Sequence, residues 1–306
     1  MAWRGVHLSE PCRLSLARGA LKVERVECDP VTVPLEDLGW IIVDTPQATL
    51  TSRLLSACAE ADVAVLFIDE RHHPVATLVP KAGYHRQLDT LRLQFSAKEG
   101  LKGRLWKCVI QRKIENQAAV LAACGGGKAA TISAALLAMA NRIRASDPLN
   151  VEAQAAQAYW PVLFPDFARR DGGDGRNAFL NYGYAVVRAI IARELAALGF
   201  EPSLGLHHAN ALNPFNLADD LLEAFRPLVD RHVHGVLHDN AAVANSEIDL
   251  RKEEKQALAA LPGVAVLIDD ESMALLNSVG RSVSTLRAAL KDRQPGTLQL
   301  PELGPG

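Results

Sequence analysis

Neither sign of charge dominates this chain. Its 33 lysines and arginines against 35 aspartates and glutamates leave a formal net charge of −2. No overall field advertises a nucleic-acid partner, so any DNA contact has to come from local clustering. No apolar run approaches the roughly 20 residues of a membrane span, so no membrane association is expected. Met1-Ala2-Trp3-Arg4 leads straight into alternating residues, so the sequence predicts no secretory signal and a cytoplasmic protein. The five cysteines, Cys12, Cys28, Cys58, Cys108 and Cys124, are odd in number, scattered and without CxxC spacing. That excludes a disulfide framework or a cysteine zinc site and predicts free thiols in a reducing compartment. There is no internal repeat, and no low-complexity stretch before the Pro/Gly-rich tail.

What remains is the composition of a globular protein, 49% hydrophobic and 22% charged over 306 residues, long enough for two domains each with its own core. The expected fold class is α+β, with a small amino-terminal β-domain over residues 1–80 and a larger all-α domain over 84–293. A linker, Lys81 to Gly83, separates them, and a flexible tail follows over 294–306. Short extended runs at 3–8 and 12–16, with Arg18-Gly19 turning Leu14 and Leu16 back towards Leu21 and Val23, read as a hairpin. Val31 to Val33, Trp40 to Val43 and Val63 to Asp69 are further strands, and Thr49 to Ala61 is an amphipathic helix between the last two. His72-His73-Pro74 reads as an exposed turn into Val75 to Val79. From Arg86 the pattern is helix after helix.

One stretch concentrates the chemistry. Leu204 to Pro227 presents His207 and His208 from a turn. Asn216 then stands at the start of a helix whose apolar stripe is Leu217, Leu221, Leu222, Phe225 and Leu228. Asp220 and Glu223, three apart, project from one face of that helix, with Asp219 flanking them. A histidine beside two carboxylates is a mixed N/O donor set for a divalent ion. The same residues also read as acids complementing a helix dipole beside solvated histidines. Glu152 carries the same ambiguity in the first turn of the helix that Asp147-Pro148 opens; Tyr159 follows two turns later.

Segment 85–113 is locally basic, holding Arg86, Arg92, Arg112 and Lys113 among other cations. It reads either as a stripe tracking a phosphate backbone or as a solvated helix face. Gly125-Gly126-Gly127-Lys128 is not a phosphate loop, because GxxxxGK[ST] after a buried strand is missing; it links two helices. Asp171 to Gly175 lacks the spacing and downstream glutamate of a calcium loop. Gly183, inside a helix that Gly199 ends, signals close approach of another element.

Read as a whole, LGLHHANALNPFNLADDLLEAFRPLVD resembles the signature of the CRISPR-associated spacer integrase family, the universal adaptation protein of CRISPR systems, in its type II form. The resemblance extends through Val33 to Asp37, Leu54 to Glu60, His85 to Leu88, Gln111 to Gln117, Asn150 to Trp160 and Asn181 to Tyr184, from about Trp3 to about Leu290. It implies that Glu152, His208 and Glu223 are the metal-binding catalytic residues and that the ion is Mg2+ or Mn2+. Asp220, His207 and Tyr159 stand as auxiliary candidates, with Asn181 and Arg188 placed to orient the site. It implies joining of the 3′-hydroxyl ends of foreign DNA fragments into a CRISPR repeat, with nuclease activity when water is the nucleophile. It also implies a homodimer formed through the β-domain, a small ferredoxin-like adaptation partner, and assistance from the RNA-guided effector nuclease. Two other readings stay open: a metal nuclease cutting branched or single-stranded DNA in repair, and a non-catalytic helical DNA-binding scaffold.

Overall fold

A computed structural model of the chain describes residues 4–69, 74–79, 87–167, 169, 174–239 and 252–304. The amino-terminal part is two sheets. Strands β1 (Arg4–Leu8), β2 (Cys12–Ala17), β3 (Ala20–Glu24), β4 (Val31–Pro34), β5 (Leu38–Val43) and β6 (Ala48–Leu50) precede helix α1 (Ser52–Glu60), and β7 (Ala64–Ile68) and β8 (Pro74–Thr77) follow it. One sheet has the order β4-β3-β2-β6 and the other β1-β5-β7-β8. The expected hairpin is β2 paired antiparallel with β3, with Leu14 opposite Val23 and Leu16 opposite Leu21. Thr49, read as helical, lies in β6; the helix begins later, capped by the Thr51 side chain, which accepts from Leu54 N.

In the second sheet the central strands β5 and β7 are buried on both faces, and successive residues point to opposite sides. Ile41, Val43 and Val65 pack with Leu14, Leu21, Leu54 and Cys58 in one core. Trp40, Ile42, Ala64 and Leu66 belong instead to the core of the helical part. Trp40 also donates from Nε1 to Ala259 O at 3.0 Å. The β-part is therefore docked firmly on the helices.

The larger part holds α2 (Gln87–Ser96), α3 (Glu99–Cys124), α4 (Gly127–Ala140), α5 (Val151–Leu163), α6 (Arg176–Ala197), α7 (Asn216–Asp239) and α8 (Lys252–Ala259). It ends with β9 (Ala265–Ile268), β10 (Glu271–Ala274), α9 (Leu275–Asp292) and β11 (Glu302–Leu303). Its core is continuous, running through α3, α5, α6, α7 and α9. The left-handed Gly125 and Gly126 link α3 to α4, at φ +76° and +86°. At Gly183 a Cβ would meet Val229 Cγ1 at 2.6 Å and Leu261 Cδ1 at 3.1 Å, so α6 and α7 touch through the missing side chain.

Two expectations need correction. The helical part is not free of strands, because β9 pairs antiparallel with β10 and β11 in a three-stranded sheet. Nor is the segment from Gln294 to Gly304 a loose tail. Leu298 and Leu300 are buried, and Asn116 on α3 clamps the strand, donating to Pro301 O and Ala224 O and accepting from Leu303 N. Its Pro and Gly residues shape a 3-10 turn at Pro295–Thr297 instead of preventing order. The linker Lys81 to Gly83, Arg86 and His72-His73 lie outside the described residues.

Candidate active site

Three helices meet at one ammonium group. Lys113 on α3 is 8% exposed, and its Nζ lies 2.5 Å from Glu152 Oε1 on α5 and 2.5 Å from Glu223 Oε2 on α7. The two carboxylate oxygens are thus no further apart than twice that distance. Local structure aims each of them. Asp147 accepts from the backbone N–H groups of Val151 and Glu152 at 2.9 and 3.0 Å. Asn150, left-handed at φ 51°, accepts from Ala153 N, so the first turn of α5 is capped twice with Glu152 on it. On α7, Arg226 lies one turn beyond Glu223; its Nε donates to Glu223 Oε1 at 2.7 Å while its guanidinium sits over the Tyr184 ring at 4.4 Å.

Two acids and two cations make a neutral, water-poor cluster. Burial by itself would push the Glu223 carboxyl up, but Lys113 and Arg226 outweigh it and hold its pKa down at about 2. Burial would likewise favour loss of the Lys113 proton, and the charges of Glu223 and Glu152 reverse that, raising its pKa. Of the two acids Glu152 is the more open, its side chain 27% exposed against 9% for Glu223.

Beside it stands the histidine turn, built around Asp220. This aspartate is fully buried and accepts four hydrogen bonds. Leu206 N at 2.5 Å and His207 N at 3.1 Å reach one oxygen; His208 N at 3.1 Å and His208 Nδ1 at 2.6 Å reach the other. Gly205 makes room for it, since a Cβ there would lie 2.3 Å from His208 O and 2.7 Å from Asp220 Oδ2. His207 stacks on Trp106 of α3, ring centroids 4.4 Å apart and planes 4° from parallel, and His208 meets the same indole edge-on. With Nδ1 held by a carboxylate, His208 has Nε2 free for a ligand, the arrangement usual in metal-binding histidines. The Asp220 bond raises the pKa of His208, and Glu223 adds to that.

Glu152 and Glu223 are therefore brought together, and His208 is fixed beside them by the residue one turn before Glu223. The donor chemistry fits a hard divalent cation: two carboxylates already gathered around a positive charge, and an oriented imidazole. As the side chains stand, no three His, Cys, Asp or Glu side chains among the described residues are close enough to hold an ion. The space between the two glutamates is taken by Lys113.

The other candidates fall elsewhere. Asp220 organises the turn from inside. Tyr159, which its spacing allowed on the acidic face, is fully buried; with Tyr184 it donates to the buried Asp230, at 3.1 Å for Tyr159. Burial pushes the Asp230 carboxyl up to about 7 despite those two hydroxyls. Asn216 lies within α7, where its amide ties down the preceding loop through Ser203 O and Asn210 O. Arg188 pairs with Asp219 at 2.7 Å and bonds Asn213, fastening the same loop, and Asn181 accepts from Arg169.

Of the basic stripe, Arg92 is exposed, Arg112 is paired with Glu115 and Glu302, and Arg86 lies outside the described residues. Lys113 is a correction: the run of charges made it one of a stripe that either tracks DNA or is solvated, whereas it is buried among carboxylates. A signal was available. Trp106, Val109, Lys113, Asn116 and Val120 are spaced three and four apart, a buried stripe in which Lys113 occupies a core position.

Over residues 6–247 the chain matches the protein family described as CRISPR associated protein Cas1. A CRISPR-associated endonuclease Cas1 from Neisseria meningitidis is 38% identical over 305 residues, covering 100% of this chain and 98% of that protein. The chain belongs to the Cas1 family. The Cas1 fold is also seen in two solved structures of lower identity. A Cas1 protein from Thermotoga maritima is 17% identical with a TM-score of 0.68, covering 99% of this chain and 100% of that one. A casposase bound to integration product is 19% identical with a TM-score of 0.73, covering 95% and 91%. The amino-terminal β-rich part and the larger helical part of this chain match the fold of the Thermotoga maritima Cas1 protein. Among its described residues, no helix is long and apolar enough to cross a membrane.

Proposed function

We propose that this Cas1 family member is a divalent-metal-dependent DNA endonuclease and integrase of CRISPR adaptation. The observation that carries the reading is the meeting of Glu152 and Glu223, from separate helices, on one buried positive charge beside a histidine fixed by Asp220. Glu152, His208 and Glu223 would hold Mg2+ or Mn2+. When bound, the ion would polarise the scissile phosphate and stabilise the charge that develops on the displaced oxygen.

The chain's own residues do the rest. Asp220 keeps His208 in one tautomer and one orientation, and Trp106 backs the histidine turn so that it does not collapse on loading. Arg226 holds the second oxygen of Glu223 and prevents the carboxylate from rotating away. In strand transfer the 3′-hydroxyl of a captured fragment forms a new P–O bond at the repeat edge as the bond to the displaced 3′-oxygen breaks. Water in the same place gives cleavage. Both are one in-line displacement with different nucleophiles, which is why one site serves both activities.

Double-stranded DNA, a second copy of the chain, a small ferredoxin-like adaptation partner and the RNA-guided effector nuclease are the proposed associates, and the cytoplasm the proposed location. The test is a strand-transfer assay with a labelled 3′-hydroxyl duplex, a repeat-containing plasmid and Mn2+. Joined product is expected. Shortened fragments alone would favour a repair nuclease, and no heat of Mn2+ binding in calorimetry would favour a non-catalytic scaffold.

A further inference from the structure

We infer that Lys113 is a built-in counter-cation: it holds Glu152 and Glu223 in their metal-ready places, and a divalent ion has to displace its ammonium group from between them. The inference rests on the metal reading of this site and goes beyond it, because it assigns a role to a residue that is not a ligand.

The geometry is specific. One Nζ contacts an oxygen of each glutamate at the same 2.5 Å, and the two acids come from helices that no other described ion pair joins at this point. Without a cation, two carboxylates this close would repel strongly in a poorly hydrated cavity, and α5 and α7 would be pushed apart there. Arg226 does not substitute, since it reaches only the Glu223 oxygen turned away from Lys113. Val109, Ile110 and Ile114 on the same stretch of α3 are fully buried, so the charge is delivered by a helix held in the core.

An ammonium is suited to this work. It is a single positive charge with no preferred coordination plane, on a stem of four rotatable carbons, so it can retract where an arginine fork could not. When it retracts, its charge stays beside the cluster. There it is placed to meet a phosphate oxygen of the incoming DNA, which offsets the loss of its carboxylate partners.

The decisive experiment is Mn2+ titration by calorimetry on the full-length wild type, Lys113→Met and Lys113→Arg, with thermal unfolding measured with and without Mn2+. Lys113→Met keeps the shape of the stem and removes the competitor, so it is expected to bind Mn2+ at least about tenfold more tightly than wild type. Its melting temperature without metal is expected to be lower and its rise on adding Mn2+ larger. Lys113→Arg should show neither gain. Equal or weaker Mn2+ binding by Lys113→Met overturns the inference.

Should Lys113→Met fail to fold, acetylation of wild-type Lys113, read by mass spectrometry with and without Mn2+, decides instead. Faster labelling with Mn2+ supports displacement, and an unchanged rate refutes it. If wild type takes up no Mn2+ at all, the metal centre itself fails, an outcome distinct from wild-type binding that Lys113→Met does not improve.

Discussion

Asp220→Asn exchanges one carboxylate oxygen for an NH2 group at a position with no solvent access. Each oxygen accepts two N–H groups: Leu206 N and His207 N on one, His208 N and His208 Nδ1 on the other. With the NH2 towards Leu206 and His207, two donors face a donor and two bonds to a charged acceptor are lost; turned the other way, it faces His208 N but can donate to His208 Nδ1 in the other tautomer, and one is lost. At about 1.5–3 kcal/mol each, the loss of unfolding free energy comes to at least about 1.5 kcal/mol and at most about 6 kcal/mol. Guanidinium unfolding at neutral pH measures it. The control is Asp219→Asn, whose ion pair with Arg188 is part-exposed and whose loss is expected to cost under about 1 kcal/mol. In the proposed mechanism Asp220 acts through His208, so Asp220→Asn combined with His208→Ala should cleave DNA no more slowly than His208→Ala alone. A destabilisation within 1 kcal/mol of wild type, or fully additive losses of cleavage, would refute the reasoning.

Glu152→Gln and Glu223→Gln should each lower Mn2+-dependent DNA cleavage by at least about a hundredfold, measured as initial rates on a labelled duplex. Gly205→Ala drives a Cβ against His208 O and Asp220 Oδ2, so it should destabilise by about 1–3 kcal/mol in denaturant and remove activity along with stability. Gly183→Ala should destabilise similarly, chiefly through Val229, and Val229→Ala should restore part of the loss in a double-mutant cycle, because the tighter of its two close contacts is with that residue's methyl. Asp230 supplies a pH signature. Its folded pKa of about 7 lies above the unfolded 3.8, so its contribution to stability is fully present below about pH 4 and is lost as pH rises through 7. Asp230→Asn abolishes this, so its stability relative to wild type should rise between pH 5 and 8; a constant difference would contradict the assignment.

Much of the architecture could be read from patterns of period two and 3.6. Leu14 and Leu16 facing Val23 and Leu21, the α1 stripe ending at Cys58, and the apolar face of α7 are all local repeats. Strands β9 to β11 were not legible, because each is four residues or fewer; β9 and β10 pair as a short hairpin across Asp269-Asp270, and β11 joins β9 only across some 35 residues of chain. Leu298 and Leu300 are core residues inside a stretch whose composition argues for disorder; only the clamp from Asn116, far away in sequence, orders it. The site divided the same way. His207, His208, Asp220 and Glu223 could be grouped because a turn and the helix after it keep them within twenty residues. Glu152 required the family signature, since one carboxylate in the first turn of a helix looks like any other. Lys113 went the wrong way, since a run of basic residues hides which member points inward.

By itself the sequence determined the order of the main helices and of most amino-terminal strands, the apolar stripes of α1 and α7, and the histidine turn with the two carboxylates that follow it, because these depend on residue type and short spacing. Only the packing of α3, α5 and α7 decided that Glu152 and Glu223, more than seventy residues apart, share one charge, and that Lys113 supplies it. Coulomb energy between buried groups depends on distance in space and on the water excluded around them, and neither is written in the order of residues along a chain.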